Sequence, residues 1–182
     1  MANSKIINNP VPTEDETSKA LRGLHLKRGQ WLAKFYLEGK KQGAYMEAIL
    51  RKAIHEIGIE QAKALPMYQD GTITVKKFSD YWYLRGYKDV FVKSRPCDEE
   101  DRFTIELGYC PLVKQWQDMG LSDEEIDLLC DIAMEGDRGE AETLGMEMDL
   151  EKTIGRGDGV CRLTFCRKNC EKCGENESVD HR

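Results

Sequence analysis

Residues 102–116, RFTIELGYCPLVKQW, decide the fold because a strand pattern runs directly into a helix pattern there. Apolar and polar residues alternate over 103–107, which is the two-residue period of a β-strand with one buried face. After Gly108 the apolar residues recur every three or four positions, and Pro111 suits the first position of a helix. The stretch therefore predicts a strand, a tight turn and a helix capped by Cys110.

The thiol of Cys110 is the most informative chemical feature of that stretch. A side chain at a helix N-terminus faces unpaired backbone N–H groups and the positive end of the helix dipole. Both favour a thiolate over a thiol, so the position predicts an activated cysteine with a lowered pKa. The alternative is a small core residue that happens to precede a helix.

Length and charge limit the classes of function. The chain has 182 residues, which predicts one domain, and its 27 basic and 33 acidic residues give a net charge of −6. That charge offers no electrostatic reason to expect a nucleic acid or an anionic membrane as partner. No apolar stretch approaches the ~20 residues that span a bilayer, and the N-terminus does not resemble a signal peptide. We therefore expect a soluble cytoplasmic protein.

Periodicity predicts an α+β domain. Helical spacing dominates the first half, in three stretches at 14–37, 45–65 and 73–84, the last of which also has strand propensity at its start. Strand alternation dominates the second half, in four stretches at 89–92, 102–107, 146–150 and 160–165. Two short helices interrupt the strands, one after Cys110 and one after Ser122, where Ser122 and Glu125 have the spacing of a capping box. This order predicts N-terminal helices packed on an antiparallel sheet of two hairpins.

The two ends of the chain are polar. Residues 1–13 are predicted to form a flexible leader and 167–182 a cysteine-containing polar tail, and neither is expected to contribute to a core. The domain is thus predicted to span 14–166.

The pattern of cysteines indicates two possible metal sites, with zinc or iron as the candidate ions. The first is the C-terminal set Cys161, Cys166, Cys170 and Cys173, whose short spacings suit zinc or an iron–sulfur cluster. The alternative for these residues is an exposed tail with redox-active thiols. The second is a set of inward-facing cysteines from three segments, namely Cys110, Cys130 and Cys161. Their wide separations match no compact ligand signature, and buried cysteine is also a common core residue.

A resemblance to a known family joins these features. The residues that carry it are, in order, Cys110-Pro111, Trp116, Gly120, Cys130-Asp131, Thr153, Gly157-Asp158 and Cys161. In order and spacing they resemble the L-2-amino-thiazoline-4-carboxylic acid hydrolase family, over most of residues 20–166. The resemblance implies a hydrolase that opens a cyclic amidine, 2-aminothiazoline-4-carboxylate, to a carbamoyl-cysteine. The chain departs from the family pattern at residues 162–165 and in its cysteine-rich tail.

The implied chemistry assigns roles to specific side chains. Ring opening needs a nucleophile at the amidine carbon, a proton donor and a group that holds the carboxylate. We expect Cys110 to be the nucleophile, with Asp131 or Asp158 as the acid/base. Substrate binding is expected from three further residues: Arg138, Arg156 and Thr153. The competing hypothesis is a non-catalytic small-molecule or metal-binding protein, or a redox sensor, that uses the same inward cysteines.

Overall fold

The computed structural model describes residues 4–11 and 15–167, and within them helices pack on one face of a four-stranded antiparallel sheet. The helices are α1 (Glu16–Lys41), α2 (Met46–Lys63), α3 (Pro66–Gln69), α4 (Val75–Leu84), α5 (Pro111–Asp118), α6 (Asp123–Ala133) and α7 (Glu135–Thr143). The strands are β1 (Lys93–Asp98), β2 (Arg102–Leu107), β3 (Met146–Lys152) and β4 (Cys161–Arg167). The α+β prediction is confirmed, and the structure adds a third short helix, α7, between the strands. No described helix is both long and apolar enough to cross a bilayer.

The sheet has the order β1-β2-β4-β3, and its central pair forms the core. Cross-strand partners on one face of β2 and β4 are all buried apolar residues: Phe103 with Phe165, Ile105 with Leu163, and Leu107 with Cys161. Side chains alternate across a strand, so this single register places the whole row toward the helices. The prediction that Cys161 faces the core is confirmed, since its side chain is only 2% exposed.

The first hairpin begins later than predicted. Residues Lys88–Val90 form a 3-10 helix, Val92 has a positive φ, and the strand that pairs with β2 starts at Lys93. Pro96 lies within this strand, although proline cannot donate a ladder hydrogen bond. Since β1 is an edge strand with a register shift between Ser94 and Cys97, that missing donor is tolerated there.

Helices α2 and α7 meet backbone to backbone. A Cβ atom added to Gly58 would lie 2.0 Å from the carbonyl oxygen of Gly136, and one added to Gly139 would lie 2.4 Å from that of His55. Only glycine allows such an approach. Helix α7 is therefore held tightly against α2, and this fixes one wall of the groove described below.

Residues 4–9, which we call the N-terminal strap, lie against the domain although the sequence predicted a leader without core contacts. Hydrogen bonds hold the strap to three later parts of the chain, at Asp123, Cys110 and Gly159. Asn8 makes two of them, because its side chain both donates to the carbonyl of Cys110 and accepts from its N–H, each at 2.9 Å. Ile6 is 7% exposed and belongs to the hydrophobic core. This part of the predicted leader therefore contributes to packing.

The structure predicts a loss of stability in acid through His25. Burial, with the nearby charges of Arg28 and Lys93, lowers the pKa of His25 from 6.5 to about 4. The ring packs edge-on against Phe91, and its buried Nδ1 has no hydrogen-bond partner among the described residues. Between pH 6.5 and about pH 4, His25 is protonated in the unfolded chain but neutral in the folded chain. The free energy of unfolding therefore falls as the pH falls through that window.

We expect this histidine to account for about 2 kcal/mol of the unfolding free energy lost between pH 7 and 4, at ~1.4 kcal/mol per pKa unit with a discount for partial exposure. Urea unfolding of the wild type and of His25→Leu at both pH values measures it. The variant should lose correspondingly less stability than the wild type. Equal losses in the two proteins would show that the histidine is not the cause.

Candidate active site

A groove of about 420 Å³ runs beside α6 and ends at the turn that precedes β4. Eight residues line it: Glu124, Asp127, Leu128, Asp131, Arg138, Leu150, Thr153 and Arg156. Four of these are residues to which the sequence assigned a role in catalysis or substrate binding, namely Asp131, Arg138, Thr153 and Arg156. The fold thus brings side chains from three separate segments to one place. A volume of this size suits a small molecule.

Helix α6 turns one polar face toward the groove. Its N-terminus is fixed by a capping box, in which the Glu125 N–H donates to Ser122 Oγ and the Ser122 N–H donates to the Glu125 carboxylate, as predicted. The groove-lining positions on this helix are 124, 127, 128 and 131, which follow the helical period. Sequence reasoning missed Glu124 and Asp127, although this spacing relative to Asp131 was the signal that could have found them.

Asp131 is held by two arginines. Its carboxylate oxygens accept hydrogen bonds from Arg138 at 2.6 Å and from Arg51 at 2.7 Å. Burial works against ionisation of this carboxyl, but the bonds from the two guanidinium groups outweigh it and hold the pKa of Asp131 below its usual range. Glu135 also accepts from Arg138, at 2.8 Å. Asp131 is therefore an ionised anchor that orients Arg138, and it is poorly suited to donate a proton at neutral pH.

Asp158 shapes the turn at the end of the groove and does not line it. Its carboxylate accepts a hydrogen bond from the Thr153 N–H at 2.8 Å, while Thr153 Oγ1 accepts from the Arg156 N–H at 3.0 Å. Gly157 closes this turn with a φ of 97°, a left-handed conformation that favours glycine. Together these bonds position Thr153 and Arg156 at the groove. We therefore assign Asp158 a structural role in holding this turn.

The three inward cysteines lie behind this turn, away from the groove lining. Cys110, Cys130 and Cys161 are 8%, 5% and 2% exposed. A Cβ atom on Gly155 would lie 2.7 Å from the Cys130 sulfur, and the Ile154 N–H donates to the Cys161 sulfur at 3.4 Å. Burial raises the pKa of Cys161 to about 12 and the pKa of Cys130 well above its ordinary value. These two thiols are protonated at neutral pH.

The pKa of Cys110 shifts in the direction opposite to the sequence prediction. Backbone N–H groups of Leu112 and Val113 do point at the sulfur and lower its pKa, as a helix N-terminus should. Burial has the larger effect, however, and it raises the pKa above the ordinary value. The expectation of an ionised thiol was wrong for this conformation, because a helix cap activates a cysteine only where solvent also reaches it.

The proposed metal ligands do not gather around one point in the part of the chain that the structure describes. No three His, Cys, Asp or Glu side chains there are placed to hold a metal ion. Within the C-terminal set, Cys161 and Cys166 lie on opposite faces of β4, because their positions differ by five, an odd number, in a strand of period two. Cys170 and Cys173 lie outside the described residues.

Comparisons with known proteins give a family and a fold. A family model described as L-2-amino-thiazoline-4-carboxylic acid hydrolase matches residues 27–165. Among solved structures, the chain is similar to a trafficking protein particle complex subunit 3 from Naegleria fowleri, covalently bound to palmitic acid. The two share 15% identity with a TM-score of 0.55, over 82% of this chain and 96% of that one. This likeness concerns the fold alone. No curated protein matches the chain.

Proposed function

Because this chain belongs to the L-2-amino-thiazoline-4-carboxylic acid hydrolase family, we propose that it hydrolyses a carbon–nitrogen bond of a small carboxylate-bearing amidine in the groove beside α6. The observation that carries the proposal is the meeting of Asp131, Arg138, Thr153 and Arg156 in one groove. The family match contributes the reaction class, and the groove contributes a place of suitable size and charge.

The reaction adds one water. The water oxygen bonds to the amidine carbon and becomes the carbonyl oxygen of a carbamoyl group that stays on the sulfur. Both water protons end on the ring nitrogen, and the bond between that carbon and that nitrogen breaks, which releases the nitrogen as an amine. Arg156, at the rim, is suited to hold the substrate carboxylate as a charge-assisted hydrogen-bond donor. Since Asp131 is paired with arginines and Asp158 supports the turn, the acid/base candidates on the groove wall are Glu124 and Asp127.

A covalent route through Cys110 is the alternative mechanism. The thiolate would attack the amidine carbon, and water would then release the product. This route requires the sulfur to become exposed and ionised, whereas it is buried and protonated behind the turn. We therefore favour direct attack by water, and Cys110→Ser separates the two routes.

Turnover of L-2-aminothiazoline-4-carboxylate by the purified protein, followed by mass spectrometry as the gain of one water, tests the function. Arg156→Gln should raise KM about 10- to 100-fold, because a hydrogen bond to a charged group contributes ~1.5–3 kcal/mol. Arg102→Gln, at a partly exposed arginine of β2 that pairs with Glu99 away from the groove, is the matched control and should change KM little.

Cys110→Ser should keep most of the wild-type kcat. Its complete inactivation, in a protein that still folds, would establish the thiol route in place of direct water attack. Tight binding of this carboxylate without any product would instead favour a non-catalytic binding protein and overturn the proposal.

A further inference from the structure

Asp127 differs from the other groups that line the groove. Asp131 and Arg138 are engaged with each other, and the Glu124 carboxylate accepts a hydrogen bond from Ser122. Asp127, by contrast, has no ion-pair or hydrogen-bond partner among the described residues, although its side chain is half-buried. A half-buried carboxylate without a partner loses solvation and gains nothing in return unless a ligand supplies the missing charge.

Arg156 lies near Asp127, in the turn between β3 and β4. A Cβ atom on Gly155 would lie 3.3 Å from the Asp127 Cα, so α6 touches the turn one residue before Arg156. The guanidinium donates to the Leu150 carbonyl at 3.1 Å and lies 3.9 Å from the Asp158 carboxylate, which leaves most of its donors unused. An unpaired anion and a mostly unused cation therefore flank the same part of the groove without pairing with each other.

We propose that Asp127 and Arg156 together select a zwitterionic ligand. Asp127 accepts hydrogen bonds from a cationic amidinium, and Arg156 donates to a carboxylate on the same molecule. Leu128 and Leu150 line the same groove and supply apolar wall for the rest of the ligand. This inference rests on the proposed function for the location of the site, but it assigns a specificity-determining role to a residue that neither the family resemblance nor the sequence singled out.

Calorimetric binding to three probes tests the inference without requiring turnover. The probes are 2-aminothiazoline-4-carboxylate, 2-aminothiazoline, which lacks the carboxylate, and thiazoline-4-carboxylate, which lacks the amine. The wild type should bind the first at least about 10-fold more tightly than either of the others, since each charged contact contributes ~1.5–3 kcal/mol.

The two variants should separate the two ends of the ligand. Asp127→Asn should abolish the preference for ligands with the amine and leave the affinity for thiazoline-4-carboxylate unchanged. Arg156→Gln should abolish the preference for ligands with the carboxylate and leave the affinity for 2-aminothiazoline unchanged. Asp149→Asn removes an exposed carboxylate on β3 and should match the wild type with all three probes. All variants should unfold at about the same urea concentration as the wild type, because none of the three substituted side chains is fully buried.

Two negative results have different meanings. If Asp127→Asn binds the zwitterion as tightly as the wild type while Arg156→Gln binds it weakly, the role of Asp127 is wrong and the proposed function stands. If the wild type binds none of the three probes, the proposed function fails together with this inference.

Discussion

Replacing both Ile6 and Asn8 by alanine should increase the rate at which Cys110 reacts with a thiol reagent by about 100-fold. Ile6 is buried in the core and Asn8 binds both backbone groups of Cys110, so the two residues hold the strap against the backbone of this cysteine. Removing them weakens the closed state by roughly 3 kcal/mol, from lost burial and two lost hydrogen bonds. Labelling follows the population of the open state, which rises tenfold per ~1.4 kcal/mol.

Mass spectrometry of labelled peptides measures the rate at each cysteine in one experiment. Ile7→Ala is the matched control, because Ile7 is the neighbouring isoleucine but is 60% exposed, and it should leave the rate at Cys110 unchanged. The partly exposed Cys97 and Cys166 serve as internal references and should react equally in all variants. If Cys110 in the double variant reacts at the wild-type rate, the strap does not protect the thiol.

Gly58→Ala should lower the free energy of unfolding by about 2 to 3 kcal/mol, although alanine is the better helix former by ~1 kcal/mol. The added methyl group would lie 2.0 Å from the Gly136 carbonyl oxygen, and that neighbour is backbone and cannot rotate away. Helix α2 must therefore move from α7. Denaturant unfolding measures the change.

Gly23→Ala provides the opposite case. Gly23 lies inside α1 and has nothing within 4 Å of the added Cβ, so the substitution should stabilise the protein by up to ~1 kcal/mol through helix propensity alone. If the Gly58 and Gly23 variants gain stability equally, the contact between α2 and α7 is looser than described.

The local features of this fold were predictable from the sequence because neighbouring residues determine them. The strand and helix around Cys110, the capping box at Ser122 and the inward face of Cys161 all follow from periodicity and cap chemistry over fewer than ten residues. The grouping of Thr153 and Arg156 with Asp131 depended on the family resemblance, since periodicity cannot show which turns meet.

Features that depend on distant contacts were not predictable. Residues 4–9 are polar enough to suggest a free leader, and their partners lie more than 100 positions further along the chain. The error over Cys110 also comes from tertiary packing, because burial raises the pKa of that thiol more than the helix that it caps lowers it. Helix α7 was missed because its sequence is rich in glycine and glutamate, and its anchors are the buried Glu140 and its bond to Arg85.

The strap also has a consequence for the order of events during synthesis. Asn9 donates to the carbonyl of Gly159, a residue translated 150 positions later. The contact between Asn9 and Gly159 therefore cannot form until nearly the whole domain has been synthesised, so it is a late event with a large loop-closure entropy. A nascent chain halted before Gly159 would lack this contact, and its strap would depend on contacts with earlier residues such as Cys110 and Asp123.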